Sequence, residues 1–483
     1  MKTVRLALVL SASILSLTSG NLLSAQNLPT QSKPKHHYKF IDLGTFDGPD
    51  SIIPFVQHVL TSRGTVVGIA ETDIPDPFAP NCASPNCKVQ NGFRWSKGKL
   101  INLHGLYTDG ASSAQAVNMQ GTIVGDAQTG LVDPVSGLPE INAVRWKHGE
   151  IENLGTLGGS SSGALSISGR GQITGWSDTG VVDPSSGQTE THAFLFSNGV
   201  MQDLGTLGGT VSFGQDVNNR AEVVGFSFTS TTNESVHPVL WRNGQITDLS
   251  LGGTVGGSGF INNRGQAIGD STLPGDAEDH AFYWSNRRLY DLGTLGGTLS
   301  LPTGLTEDGH VSGVSTTTND ELLHAVLWRN RQIKDLGTVP GDTCSWAWGL
   351  NSKDQVVGIS LPAPCDFSIA HAFLWEGGSM VDLNTLIPPD SGLQLVYAEA
   401  INDAGEIVGI GVPPGVSPSD VEAQGHSYVL IPQDGVSDSQ YDEPGRSSQI
   451  TSAAVPGTFK VAAAGMIRRL RDLQLRKYRL PKR

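Results

Sequence analysis

Three short phrases recur in a fixed order along this chain, eight times each, and they limit its fold more than any other feature. One phrase carries Asp-Leu or Asn-Leu and often continues as DLGTLGG. Its Asp or Asn stands at 42, 102, 153, 203, 248, 291, 335 and 382. The second phrase ends in an apolar-apolar-Gly step, as in SRGTVVG (62–68), MQGTIVG (119–125), NRAEVVG (219–225) and DAGEIVG (403–409). It often follows an apolar-Asn pair, such as Val217-Asn218, Ile261-Asn262, Leu350-Asn351 or Ile401-Asn402. The third is apolar and aromatic, from NGFRW (91–95) through HAFLF (192–196) to HSYVL (426–430). Copies lie 43 to 60 residues apart. Such a period marks a repeat architecture. Each unit is too small to bury a face alone and must stack on its neighbours.

Every unit reads as four short strands. The first carries the apolar-Asn pair, the second the apolar-Gly step, the third the HAFLW-type phrase and the fourth the Asp-Leu phrase. Tight turns such as Arg242-Asn243-Gly244 join strands three and four, and Asn-Gly between apolar runs is a strong hairpin signal. Gly68, Gly125, Gly225 and Gly409 are expected to end strand two, where a Cβ would hinder a bend or a close backbone approach. Four-stranded units of this length indicate an all-β, closed β-propeller. The chain opens with a fourth-type strand (38–44) and finishes the repeats with strands one to three (397–431). The first strand is therefore expected to complete the last blade, giving eight blades over 38–431. A seven-bladed ring and an open β-solenoid are the alternatives. With Gly at 60 and Pro at 26 of 483 residues, the chain has too many turn residues for long helices, and no G-X-Y period for collagen.

Charge is unevenly placed. Residues 460–483 hold nine basic residues and one acidic, whereas 27–459 hold 21 basic and 45 acidic. An acidic body argues against nucleic acid as a partner. At the N-terminus, Lys2 and Arg5 precede a short apolar run (6–16), and Leu23-Ser24-Ala25 offers a cleavage site. Residues 1–26 thus read as a signal peptide, and the protein as secreted, periplasmic or on the cell surface. No segment reads as a membrane span. In an oxidising compartment the four cysteines default to disulfides, most simply Cys82 with Cys87 and Cys344 with Cys365. Residues 432–460 read as a linker. Residues 461–483 read as a basic tail with a short helix, able to touch an anionic surface.

The HAF tripeptide with Trp, joined to DLGTLGG and the apolar-Asn-x-x-G step, resembles the bacterial extracellular HAF-repeat family. The phrase stands here as His192-Ala193-Phe194, His280-Ala281-Phe282 and His371-Ala372-Phe373, with variants at His237, His324 and His426. The likeness covers about 38–431. It implies export and repeated β structure, and it supplies no catalytic residue. The first two units depart from it by lacking the His.

The six histidines occupy one repeat position, on separate sheets, and so read as structural hydrogen-bonding groups rather than a metal cluster. Trp95, Trp146, Trp241, Trp284, Trp328 and Trp375 read as fillers between blades. The repeated Asp reads as a turn cap. Residues outside the repeat are better functional candidates. Trp176, Trp346 and Trp348 could stack on a sugar ring. The acidic runs 72–76 and 275–279 could take Ca²⁺, though neither forms a full calcium loop. HExxH and GxxxxGK[ST] are absent, and no catalytic, cofactor or metal residue is assigned. The reading is a monomeric binding scaffold for protein or carbohydrate, using loops between strands two and three. The alternatives are an extracellular polysaccharide-acting hydrolase or lyase, and a structural envelope protein.

Overall fold

A computed structural model describes residues 37–433, except 55–56, 81, 83, 185–186 and 233–234. The signal segment (1–26), nearly all of the linker (432–460) and the basic tail (461–483) lie outside the described residues.

The described chain is all-β, built of successive four-stranded antiparallel sheets. Repeat unit four is representative: strands Ser212–Val217, Val223–Phe228, Val236–Arg242 and Gln245–Asp248 pair in that order. Units five and six are bridged into one larger sheet by a parallel pairing of Asp279 with Leu299. The strand His37–Asp42 pairs antiparallel with His426–Gln433, so the first described strand is the fourth strand of the last sheet.

Each first hairpin carries a bulge. In unit four the register slips between Gly214 and Asp216. The bulge pushes a carbonyl toward strand two, and only glycine leaves room for it. A Cβ on Gly225 would lie 1.8 Å from the Phe213 carbonyl oxygen, and one on Gly125 would lie 1.8 Å from that of Ser113. These glycines do not end strand two. Gly68, Gly125, Gly225 and Gly409 are each the third residue of a strand that runs on, to Pro75, Val132, Phe228 and Val412. The loops after strand two of units one, two and three are also shorter than the sequence implies, because pairing resumes at Pro75–Lys88, Val132–Pro139 and Val182–Thr189.

The core lies between neighbouring sheets. Ala193 of unit three packs with Val217, Val223, Val239 and Trp241 of unit four. Val408 and Val429 of unit eight pack with Val66, Val67 and Phe93 of unit one. Each such side chain contributes about 1.5–3 kcal/mol by leaving water.

Polar straps tie the same junctions. Eight equivalent turn residues, Thr61, Asn118, Ser168, Asn218, Asn262, Thr306, Asn351 and Asn402, accept backbone N–H groups of their own turns. The five asparagines also reach the next unit. Their Nδ2 atoms donate to the carbonyls of Ser168, Asn262, Thr306, Asn402 and Thr61 respectively, at 2.9–3.2 Å.

Candidate functional site

The repeated polar residues are engaged by the scaffold. In four units the His Nδ1 of strand three bonds the Asp eleven residues later on strand four: His192–Asp203 (2.9 Å), His237–Asp248 (2.8 Å), His280–Asp291 (2.9 Å) and His324–Asp335 (2.9 Å). His426 makes the same bond to Asp42 (3.0 Å), tying the last unit to the first described strand. Each Asp also caps its turn, as Gly205 N–H donates to Asp203 at 2.7 Å. Unit two replaces the pair by Asn142 and Asn153, 3.2 Å apart. His371 turns instead to Asp342 (3.0 Å), while Asp382 caps a short 3-10 turn.

The pairing is reflected in acidity. Burial acts to raise Asp291, but the bonds from His280 and Gly293 overcome it and hold the carboxyl below its ordinary range. The Asp291 hydrogen bond in turn lifts His280. The Asp side of this pair therefore stabilises the fold above about pH 3.8, and the His side below about pH 6.5.

Trp95, Trp146, Trp241, Trp328 and Trp375 are buried between sheets, and Trp284 is half-buried. The three unrepeated tryptophans do not converge. Trp176 packs against Phe213 of the next unit, with centroids 5.9 Å apart. Trp346 is buried, and Trp348 meets Tyr397 edge-on at 5.1 Å. The disulfides are local, Cys82–Cys87 and Cys344–Cys365. In the 275–279 run, Asp276 is held by Thr254 and Thr272. In 72–76, Asp76 caps Phe78 N–H. Among the described residues no group of three or more His, Cys, Asp or Glu is placed to hold a metal ion.

Two concavities among the described residues carry polar side chains, and neither is formed by the loops between strands two and three. Both lie at the other end of the sheets, among the tight turns. The first, about 360 Å³, is surrounded by strap residues of five units and includes His58, Asn118, Ser168, Asn218, Asn262 and Glu307. His58, from a 3-10 turn of unit one, reaches Asp216 of unit four at 3.1 Å. Asp216 is 2% exposed. It also accepts from Ser166 Oγ (2.6 Å) and from the N–H groups of Val217 and Ile261. Burial acts to lower His58, but the Asp216 charge and hydrogen bond, with Glu307, lift it above its ordinary value. Sequence reasoning missed this pair. A signal was available: the position holds Ala116, Ser166, Phe260, Gly304, Gly349 and Ala400 in other units, and an acid only here.

The second concavity, about 470 Å³, lies between units four and five and is lined by Arg220, Glu222, Arg242, Arg264, Trp284 and Arg287, among others. Glu222 is buried, and it binds Arg220 at 2.7 Å and Arg242 at 2.6 Å. The four arginines come from four different turns, so linear spacing did not reveal their meeting.

No family model matches the chain, and no curated protein matches it. Solved structures do. The β-propeller domain of the Trilobed protease from Pyrococcus furiosus aligns at 11% identity and a TM-score of 0.41, over 69% of this chain and 98% of that one. A structure from a study of two prolyl endopeptidases aligns at 11% and 0.46, over 76% and 55%. Porphyromonas gingivalis dipeptidyl peptidase 4 aligns at 8% and 0.41, over 74% and 57%. The chain thus spans little more than half the length of the two peptidases.

Proposed function

We propose that this chain is an exported β-propeller of the HAF-repeat kind, closed into eight blades, that serves as a carbohydrate-binding scaffold. Several observations support closure. The strand His37–Asp42 pairs with the last unit, one apolar cluster joins units eight and one, and Asn402 donates to the Thr61 carbonyl. Ring closure removes exposed sheet edges. The signal-like N-terminus and the two disulfides support export.

One observation carries the binding role. The recurring His and Asp side chains of strands three and four serve scaffold bonds, whereas each concavity gathers polar groups met in one place among the described residues: the His58–Asp216 pair in one, and the meeting of Arg220, Arg242, Arg264 and Arg287 in the other. Scaffold demands explain the former and leave the latter free for a ligand. The ligand end is accordingly the turn end, not the loop end. The test is a glycan array with the full chain, followed by titration and product analysis of each hit. Retention of a defined glycan subset without cleavage is expected. An empty array, or release of shortened sugars, overturns the proposal.

A further inference from the structure

The arginine-lined concavity is unusual for this molecule, whose body is strongly acidic. Four arginines and one carboxylate, Glu222, line a space of about 470 Å³, and Arg264 also pairs with Asp308 at 2.8 Å through one terminal nitrogen. Glu222 is consumed internally. It accepts from Arg220 through Nε (3.0 Å) and a terminal nitrogen (2.7 Å) and from Asn218 Nδ2 (2.6 Å), and it forms an ion pair with Arg242, whose Nε lies 2.6 Å away. Being 6% exposed, Glu222 acts as an anchor that fixes two guanidinium forks. Arg220 and Arg242 keep 46% and 32% of their side-chain surface exposed. Gly265 makes room for this arrangement, since a Cβ there would lie 1.8 Å from an Arg220 terminal nitrogen.

Arg287 stands where other units place glycine. It occupies the second central position of the turn between strands three and four, at φ 61°. Four equivalent turns carry Gly98, Gly149, Gly199 and Gly244, with φ between 74° and 87°, and the turn of unit six carries a second arginine, Arg331, at φ 66°. A left-handed backbone costs a non-glycine residue roughly 1 kcal/mol or more. The turn thus accepts a strained arginine where glycine is easier. Arg287 is exposed, lines the cavity and makes no ion pair among the described residues. Trp284, half-buried, supplies an aromatic wall.

We propose that this concavity binds an acidic saccharide. Guanidinium forks match the geometry of a carboxylate or sulfate, and an indole face suits a sugar ring. The volume lies within the usual range of small-ligand sites. The anionic group sits among the four arginines, and the sugar ring lies toward Trp284. This assignment rests on the carbohydrate-binding reading above and names its site and ligand class.

The experiment titrates the full chain with tri-galacturonate, a sulfated chondroitin tetrasaccharide, neutral galactotriose and inorganic phosphate. At least one acidic saccharide is expected to bind, at least tenfold tighter than galactotriose, and to weaken with added salt. Arg287→Gly and Arg264→Ala are each expected to weaken it at least tenfold. Arg287→Gly should at the same time hold or raise the melting temperature, which a structural role for the arginine would not allow. The proposal is overturned if neither acidic saccharide binds, if phosphate alone binds as tightly, or if both variants bind like the wild type. Tight binding of galactotriose that ignores the arginine variants overturns this site while leaving the scaffold reading intact.

Discussion

At the scale of single residues, Asp50 is a costly group. It is 1% exposed, and its Oδ1 meets no hydrogen-bond partner among the described residues. Burial, with the charges of Glu71 and then Glu422, pushes its carboxyl up to about 8. Near pH 7 the folded protein therefore holds a proton that the unfolded chain releases above pH 3.8. Stability consequently falls as pH rises from about 4 to about 8. Asp50→Asn keeps the shape and removes the ionisable group. It is expected to stabilise the protein at pH 8.5 by an amount on the order of a few kcal/mol, with little effect at pH 4. Thermal melts at the two values decide it, and an equal shift at both would refute the electrostatic cause. Nothing in the sequence marks Asp50, because GPDS reads there as an ordinary turn. Its burial comes from a distant segment: the Ser51 N–H donates to the Gly425 carbonyl.

Individual elements show how the units compensate one another. In several units a buried serine at the start of strand one staples two sheets. Ser212 Oγ accepts from Ala193 N–H (2.9 Å) and donates to the Gly205 carbonyl (2.8 Å). Ser300 does the same with Ala281 and Gly293. Unit five lacks the serine and has Gly256, and the facing alanine is Pro238, which has no N–H to give. A Cβ on Gly256 would lie 2.5 Å from the Asp270 carbonyl oxygen, 2.9 Å from Ser271 Cα and 3.0 Å from Pro238 Cδ. The two changes form a matched pair. Gly256→Ser alone is expected to cost about 1–3 kcal/mol through crowding. Adding Pro238→Ala should recover part of that loss, by removing the Pro238 contact and supplying the N–H of the staple, while the approach to Asp270 and Ser271 stays. Urea denaturation of the double-mutant cycle reads the coupling, and simple additivity would count against it.

The four-strand unit and its turn types were legible in the sequence because they are local and periodic. The bulge was not, since it depends on a carbonyl across the hairpin, and so the glycines were misread as strand ends. The candidate site was less legible still. Arg220, Arg242, Arg264 and Arg287 lie on separate turns, and only sheet stacking brings them together.

Across the whole molecule, the asparagine straps are unevenly spread. Thr61, Ser168 and Thr306 are too short to cross to the next unit. Two of those junctions are reinforced elsewhere: Ser166 bonds Asp216, and Thr303 Oγ1 bonds the Ala347 carbonyl at 2.7 Å. At the turn end, the polar contact described in their place at the junction of units one and two is a weak one, from Ser62 Oγ to Met119 Sδ at 3.4 Å. Thr61→Asn should supply the missing strap and stabilise the fold by about 0.5–1.5 kcal/mol. A melting temperature that does not rise would argue against this. A necklace is usually expected to part at its clasp. In the proposed closed ring the clasp is doubly fastened, by the His37–Asp42 strand and by Asn402, so thermal breathing should begin one bead further along.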